Sequence, residues 1–236
     1  LFIMPPLAVI TVSGIYKLIK ILFLKNIFVA FILTIFFVVI LAWPLKHQIM
    51  TFPVDYVYFN GLSGQSRNAW GNYEYDYYFQ GIKEPADYLI RLADGNDVTV
   101  AMNCNLSNYF EEYPNITYKY TRFLERSSVD WDYGVFGLNY VHPWLLKNDK
   151  WRPEGIVKIF YHKGNPVSVL IKRMDNKDFY GISEIKSGNL SAVSILENEV
   201  IKDTNNVWLY VQIAKVCLLE GDKEKLYNFI EKGKQI

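Results

Sequence analysis

Two long apolar stretches open the chain, and their patterns predict helices. Leu1 to Tyr16 contains no charged residue, and Ile27 to Leu45 is a run of 19 residues in which Thr34 is almost the only polar side chain. At 1.5 Å per residue the second run spans roughly 28 Å, about the hydrocarbon thickness of a bilayer. We therefore predict a membrane helical hairpin, with Pro5 and Pro6 at the start of its first helix. The alternatives are a signal peptide, whose apolar region would be shorter, and a buried core helix.

Basic residues lie between the two apolar stretches. Lys17, Lys20 and Lys25 occupy this connection, whereas only Lys46 and His47 follow closely after the second stretch. Short basic loops stay on the cytoplasmic side of a membrane, so the pattern predicts that the rest of the chain is exported.

Helical and strand-like patterns alternate in the middle of the chain. The helical patterns cover Lys83 to Ala93 and Asn105 to Tyr113, and the strand patterns cover Asp97 to Met102, Ile116 to Tyr120, Tyr133 to Phe136, Ile156 to Tyr161 and Val167 to Lys172. The last two strands flank a Gly-Asn pair that indicates a hairpin turn. This order predicts a small α/β domain with a mixed sheet. No GxGxxG loop follows the first strand, so a nucleotide site is not indicated.

Three helical patterns end the chain, at Leu190 to Ile201, Val207 to Leu219 and Lys223 to Lys232. With Ala192, Ala214 and Gly221 at small-residue positions, they resemble one and a half tetratricopeptide repeats, although an ordinary helical hairpin would look similar. The whole pattern predicts four parts: two transmembrane helices over 1–49, an aromatic juxtamembrane loop over 50–80, an extracytoplasmic α/β domain over 81–180 and a tetratricopeptide-like tail over 181–236.

Composition narrows the range of partners. The 25 Lys and Arg residues nearly balance the 24 Asp and Glu residues, and the net charge of +1 gives no electrostatic basis for binding nucleic acid. Cys104 and Cys217 form no CxxC motif or disulfide framework. The three histidines, His47, His142 and His162, have no metal-ligand spacing. We therefore expect no metal site, and we predict no cofactor.

Two clusters of carboxylates are candidates for chemistry. Glu74 and Asp76 lie among tyrosines in the stretch Gly71 to Tyr78, where carboxylates and hydroxyls suit hydrogen bonding to a sugar. The alternative is that these aromatic residues only pack one part of the protein against another. The second cluster comprises Glu125-Arg126 and Asp130-Trp131-Asp132, whose charges would pair with Arg122 or Arg126 and hold a loop.

The order of these features resembles the C-terminal end of bacterial GT-C membrane glycosyltransferases, the family of dolichyl-phosphate-mannose-protein mannosyltransferases and aminoarabinose transferases. The resemblance lies in two apolar spans followed by Val57-Tyr58-Phe59-Asn60-Gly61 and by Ala69 to Tyr78. It implies transfer of a sugar from a polyprenyl-phosphate donor in the membrane lipid to a protein or glycan acceptor outside the bacterial inner membrane, with a periplasmic C-terminal domain. The substrate-binding residues that it implies are Asn60, Tyr73, Glu74, Asp76 and Tyr77.

The same resemblance places the family's catalytic acidic residue in an early loop that this sequence does not contain. The chain also opens inside an apolar run without an initiator Met, which indicates a fragment of a longer protein. No catalytic residue is therefore assigned within these 236 residues. The alternative function is a membrane-anchored, non-catalytic scaffold that binds a partner through its tetratricopeptide-like helices.

Overall fold

The computed structural model describes residues 4–51, 70–72, 76, 79–105 and 107–234. The chain divides into two compact units, Leu1–Asp55 and Tyr56–Ile236.

The first unit is a helical hairpin. Helix α1 covers Met4–Lys25 and α2 covers Ile27–Thr51. The side-chain oxygen of Asn26 accepts hydrogen bonds from the backbone N–H groups of Phe28 at 3.0 Å and Val29 at 3.3 Å. Asn26 therefore caps the start of α2, because these N–H groups have no partner within the helix.

The membrane prediction is corrected at these two helices. Across the residues that the structure describes, no helix has the length and apolar character needed to cross a membrane. The apolar pattern predicted helices correctly, but the helices extend beyond the apolar runs: α1 contains Lys17 and Lys20, and α2 continues through Lys46 to Thr51. The predictions of a transmembrane hairpin, an inner-membrane location and a periplasmic C-terminal domain are therefore wrong.

The second unit contains a mixed sheet, as the sequence predicts. The strands are β1 (Val98–Met102), β2 (Ile116–Tyr120), β3 (Tyr133–Gly137), β4 (Ile156–His162) and β5 (Asn165–Lys172), in the spatial order β2-β1-β3-β5-β4. Strand β1 is parallel to β2 and β3, whereas β5 is antiparallel to β3 and β4. The prediction of an α/β domain with a mixed sheet is confirmed.

Seven helices accompany the sheet in the described part of this unit: α3 (Lys83–Ala93), α4 (Ser107–Phe110), α5 (Pro143–Lys147), α6 (Lys177–Lys186), α7 (Val193–Lys202), α8 (Val207–Glu220) and α9 (Lys223–Lys234). Three 3₁₀ turns cover Gln80–Ile82, Phe123–Ser128 and Leu190–Ala192. Helices α5 and α6 were not predicted, and the helix expected from Asn105 to Tyr113 is reduced to the four residues of α4.

The turn between β4 and β5 lies one position earlier than its Gly-Asn pair predicts. His162 pairs with Asn165, so Lys163 and Gly164 form the turn, with φ angles of 50° and 82°. A two-residue hairpin turn of this kind requires positive φ at both positions, a conformation that glycine adopts without steric cost.

Both faces of the sheet are covered, because successive side chains of a strand point to opposite faces. On one face, Val100, Val135 and Leu170 pack against α3 in the first core cluster. On the other face, Ala101, Phe136 and Val169 pack beneath the second cluster, which includes Phe123, Trp131, Leu146 and Trp151.

A third core cluster joins α6, α7, α8 and α9, which pack in sequence. A Cβ on Gly181 would lie 2.7 Å from Leu196, so glycine allows α6 to approach α7 closely. Gly221 has a different role from the packing role that the repeat pattern assigned to it. Its φ of 76° ends α8 in the left-handed conformation, and a Cβ there would meet no atom within 4 Å.

Candidate functional site

Of the five predicted substrate-binding residues, the structure describes Asp76. The other four predictions, Asn60, Tyr73, Glu74 and Tyr77, lie outside the described residues. The carboxylate of Asp76 is 4% exposed and accepts hydrogen bonds from the backbone N–H of Gln80 at 2.7 Å and of Gly81 at 2.9 Å. These N–H groups begin the helical segment that continues as α3, so Asp76 caps its start.

The surroundings of Asp76 are closely packed. This residue lies at the carboxyl ends of β1 and β3, where Asn139 donates to its backbone oxygen at 3.1 Å and Asn103 bonds both backbone groups of Gly137. A Cβ on Gly81 would lie 3.0 Å from the Asp76 carboxylate. The adjacent cavity is about 30 Å³. That volume holds about one water molecule and is too small for a sugar ring.

Two ionisable groups at this edge of the sheet have raised pKa values. Burial raises the pKa of Asp76, and the two backbone hydrogen bonds oppose the rise. Burial, with a smaller contribution from the charge of Asp76, raises the pKa of Cys104 to about 12. The thiolate is the reactive form of cysteine, so Cys104 is not a nucleophile at neutral pH.

The second predicted cluster leads to a larger cleft at the opposite end of β3, between the sheet and helices α6 to α8. We call it the charged cleft. Its volume is about 220 Å³, and its lining includes Arg126 and Trp131 from that cluster. Four further residues of its lining, Glu154, Arg173, Asp203 and Asn206, were not predicted as site residues. The predicted local pairing holds for Arg122 with Glu125 at 3.4 Å, but Arg126 pairs instead with Asp203 on the helical tail at 2.6 Å.

Arg126 and Arg173 are buried in the walls of the charged cleft. Besides Asp203, Arg126 donates to the backbone oxygen of Phe123 at 3.1 Å. The guanidinium of Arg173 contacts Asp178 at 2.5 Å, and its carbon lies 4.7 Å from the ring centre of Trp131. Buried charges require partners of this kind, because an unpaired ion in the interior is very costly.

A lysine joins two more carboxylates of the cleft. Lys202 Nζ lies 2.8 Å from Glu199 and 3.1 Å from Asp175, and these hydrogen bonds raise the pKa of Lys202. Four carboxylates in the lining of the cleft, those of Asp175, Asp178, Glu199 and Asp203, thus have a cationic partner.

Three polar groups in the lining have neither a hydrogen bond nor an ion pair among the described residues. The Nε–H of Arg173 and the side-chain oxygen of Asn206 are buried without a hydrogen bond. Asn206 is only 2% exposed, and its amide nitrogen donates to Ser127 Oγ at 2.8 Å, which fixes the orientation of the side chain. Glu154 is the third group: it is exposed to solvent, and no cation of the described chain forms an ion pair with it.

Glu154 lies in a negative environment. Burial makes the largest contribution to raising its pKa, and the charges of Asp203, Glu199 and Asp175 raise it further, whereas Lys202 opposes them. The three groups thus comprise an exposed carboxylate, a buried acceptor on Asn206 and a buried donor on Arg173. In the described parts of the chain, no group of three or more His, Cys, Asp or Glu side chains is placed to hold a metal ion.

No spacing in the sequence predicts that Glu154, Arg173 and Asn206 line the same cleft. Glu154 precedes β4, Arg173 follows β5, and Asn206 lies in the Asp/Asn turn between α7 and α8. Asp and Asn are common in turns between helices, but a turn residue carries no signal for which of its atoms is buried. Comparison of the chain with models of protein families, with curated proteins and with solved structures gives no significant match.

Proposed function

We propose that the charged cleft binds a small hydroxylated primary amine. The observation that carries this proposal is that one cleft is lined by Glu154, an exposed carboxylate without an ion pair in the described chain, and by Asn206 and Arg173, each of which has one buried polar atom without a hydrogen bond. An ammonium group has three N–H donors and no acceptor, so it matches the two acceptors of this set. A hydroxyl oxygen of the same ligand accepts from the remaining donor.

The ammonium group pairs with Glu154 and Asn206. The neighbouring carboxylates that raise the pKa of Glu154 also favour a cation in the cleft, because an opposite charge relieves their mutual repulsion. The Asn206 oxygen gains the hydrogen bond that it lacks in the free protein, and an unsatisfied buried acceptor is costly.

Arg173 binds the ligand's oxygen through Nε–H. Its other contacts already fix the guanidinium: Nη1 donates to the backbone oxygen of Val129 at 2.9 Å, and Nη2 is held by Asp178. The donor is therefore positioned before the ligand arrives, which reduces the entropy lost on binding.

This ligand class agrees with the part of the resemblance that concerns acceptor binding. The resemblance assigned no catalytic residue to the chain and implies a protein or glycan as the acceptor of the sugar, and an amine-bearing sugar belongs to the proposed class. Sugar transfer itself stays a prediction.

Glucosamine and glucose form a matched pair of probes, because they differ only in the amine at one ring position. We expect isothermal titration calorimetry on the full chain to give a dissociation constant for glucosamine on the order of 1 mM or tighter, an ordinary affinity for about a dozen heavy atoms. Glucose should bind at least about tenfold more weakly, since it lacks the charge-assisted hydrogen bonds.

Glu154→Gln should weaken glucosamine binding by about tenfold or more, because it removes the unpaired carboxylate and keeps the shape of the side chain. Glu220→Gln is the matched control, since Glu220 is exposed at the end of α8 and does not line the cleft. Equal binding of glucose and glucosamine, or full affinity in the Glu154 variant, would contradict the proposal.

A further inference from the structure

The outer face of α8 and α9 forms an apolar groove, which we call the tail groove. Its volume is about 380 Å³, larger than that of the charged cleft. Val207, Val211, Ala214 and Leu218 line it from α8 at intervals of three or four residues. These intervals place the four side chains along one face of the helix.

Helix α9 supplies the other wall of the tail groove. Leu226, Phe229 and Ile230 line this wall, again at the spacing of one helical face. Phe229 also lies against Tyr210, with ring centres 6.3 Å apart, so the two helices are fixed to each other beneath the groove. Two packed helices with facing apolar stripes form a channel into which the side chains of a third helix can insert.

The tail groove is unoccupied by the described chain. Leu218 is 68% exposed, and Val211 and Ile230 are each 37% exposed. Inside the same tail, the corresponding surfaces of α6, α7 and α8 are covered by neighbouring helices in the third core cluster. The groove therefore presents to solvent the kind of surface that another helix covers elsewhere in the tail.

Charge at the edge of the tail groove indicates the kind of helix that fits. Lys215 and Lys234 line it, and no carboxylate does among the described residues. Lys234 pairs with Glu231 at 2.7 Å, but both side chains are about two-thirds exposed, and exposed pairs of this kind contribute little. Lys215 contacts the ring of Trp208 and keeps its charge available.

We propose that the tail groove binds an amphipathic helix of a partner protein whose apolar stripe is flanked by Asp and Glu. The apolar stripe fills the channel between α8 and α9, and the flanking carboxylates reach Lys215 and Lys234. This is helix-in-groove recognition, in which apolar residues at helical spacing anchor the ligand and charges select it.

The test uses two designed peptides of about 18 residues, roughly five helical turns, with the same leucine stripe. One carries glutamates beside the stripe and the other carries lysines at the same positions. Fluorescence anisotropy with the full chain, at about 0.1 M ionic strength, should show the glutamate peptide binding at least about threefold more tightly, because charges within about 10 Å still interact there.

Adjacent leucines on α8 provide a matched pair of variants. Leu218→Asp places a charge in the groove and should weaken binding of the glutamate peptide by about tenfold or more. Leu219 is 72% exposed and does not line the groove, so Leu219→Asp should leave the affinity unchanged. Both side chains are exposed, so neither substitution disturbs a buried contact. Lys215→Glu should abolish the preference for the glutamate peptide, because the new carboxylate offsets the charge of Lys234.

Three outcomes would overturn the proposal. The first is equal binding of the two peptides, and the second is equal loss of binding in the Leu218 and Leu219 variants. The third is self-association of the chain, measured by sedimentation velocity, that Leu218→Asp abolishes while neither peptide binds, because the occupant would then be a second copy of the chain.

Discussion

The two ends of β3 hold carboxylates in opposite ways, because Asp76 is buried and Glu154 is exposed. At its carboxyl end, Asp76 has both oxygens bonded to backbone N–H groups beside a cavity of about 30 Å³. At its amino end, a cleft of about 220 Å³ contains Glu154, which has no ion pair in the described chain, and the unbonded oxygen of Asn206. Buried polar groups that are satisfied maintain the fold, whereas those left unsatisfied are candidates for binding. Whether a carboxylate in a sequence motif is structural or available to a ligand therefore depends on its neighbours in the fold.

The largest effect should come from the buried ion pair that closes the charged cleft. Arg126→Ala leaves Asp203 without its partner and removes a donor to Phe123. We expect a loss of about 3–5 kcal/mol in the free energy of unfolding, the usual cost of breaking a buried pair on one side. Urea denaturation followed by circular dichroism measures it.

Arg122→Ala is the control for this substitution. The pair between Arg122 and Glu125 is largely exposed, so its loss should change the free energy of unfolding by less than about 0.5 kcal/mol. Similar losses in the two variants would show that the ion pair between Arg126 and Asp203 does not hold the helical tail to the sheet.

A smaller effect is expected at the other end of β3. Asp76→Ala leaves the N–H groups of Gln80 and Gly81 without acceptors, and it should cost about 1–3 kcal/mol. The same variant should bind glucosamine with unchanged affinity, because the charged cleft is at the opposite end of the strand. Asp97→Ala, at an exposed position before β1, should be neutral within about 0.5 kcal/mol. Loss of glucosamine binding in the Asp76 variant would contradict the separation of the two regions.

Local sequence patterns predicted much of the sheet and of the helical tail. The bounds predicted for α3 and β2 match the structure, because apolar periodicity and end signals act within a few residues. Helix α6 was missed because its buried side includes a glycine, Gly181, which adds nothing to a hydrophobic pattern. The membrane prediction is corrected by the described helices, none of which has the length and apolar character needed to cross a membrane.

The charged cleft could not be predicted in the same way. Arg126 was identified as part of a charged cluster, but its partner Asp203 is 77 residues away in the chain. Glu154, Arg173 and Asn206 meet only because β4 and β5 form one edge of the sheet and the tail folds back against it. Contacts between residues so far apart in the chain depend on the topology of the fold, and short spacings in the sequence do not predict them.

The smallest predicted effect concerns the pH dependence of Glu154. Its pKa in the folded protein is raised above the ordinary value of 4.5, so its contribution to stability is fully present below about pH 4.5 and is lost as the pH rises through the folded pKa. Glutamine cannot ionise and avoids this loss. We expect Glu154→Gln to raise the Tm only slightly at pH 7, because Glu154 is exposed and solvent screens the neighbouring charges, and the difference should close near pH 4.

Differential scanning calorimetry between about pH 4 and pH 7 tests this expectation, with Glu220→Gln as the control.

The variant Asp76→Asn extends the comparison to the carboxylate at the other end of β3. The pKa of Asp76 is also raised by burial, so removing its charge alone would stabilise the protein at pH 7. The amide's NH₂ group cannot accept from Gln80 or Gly81, however, and we expect the lost hydrogen bond to outweigh that gain and lower the Tm. Opposite shifts in the Asp76 and Glu154 variants would separate a carboxylate bound by its own backbone from one that is free for a ligand, and shifts of the same sign would remove that distinction.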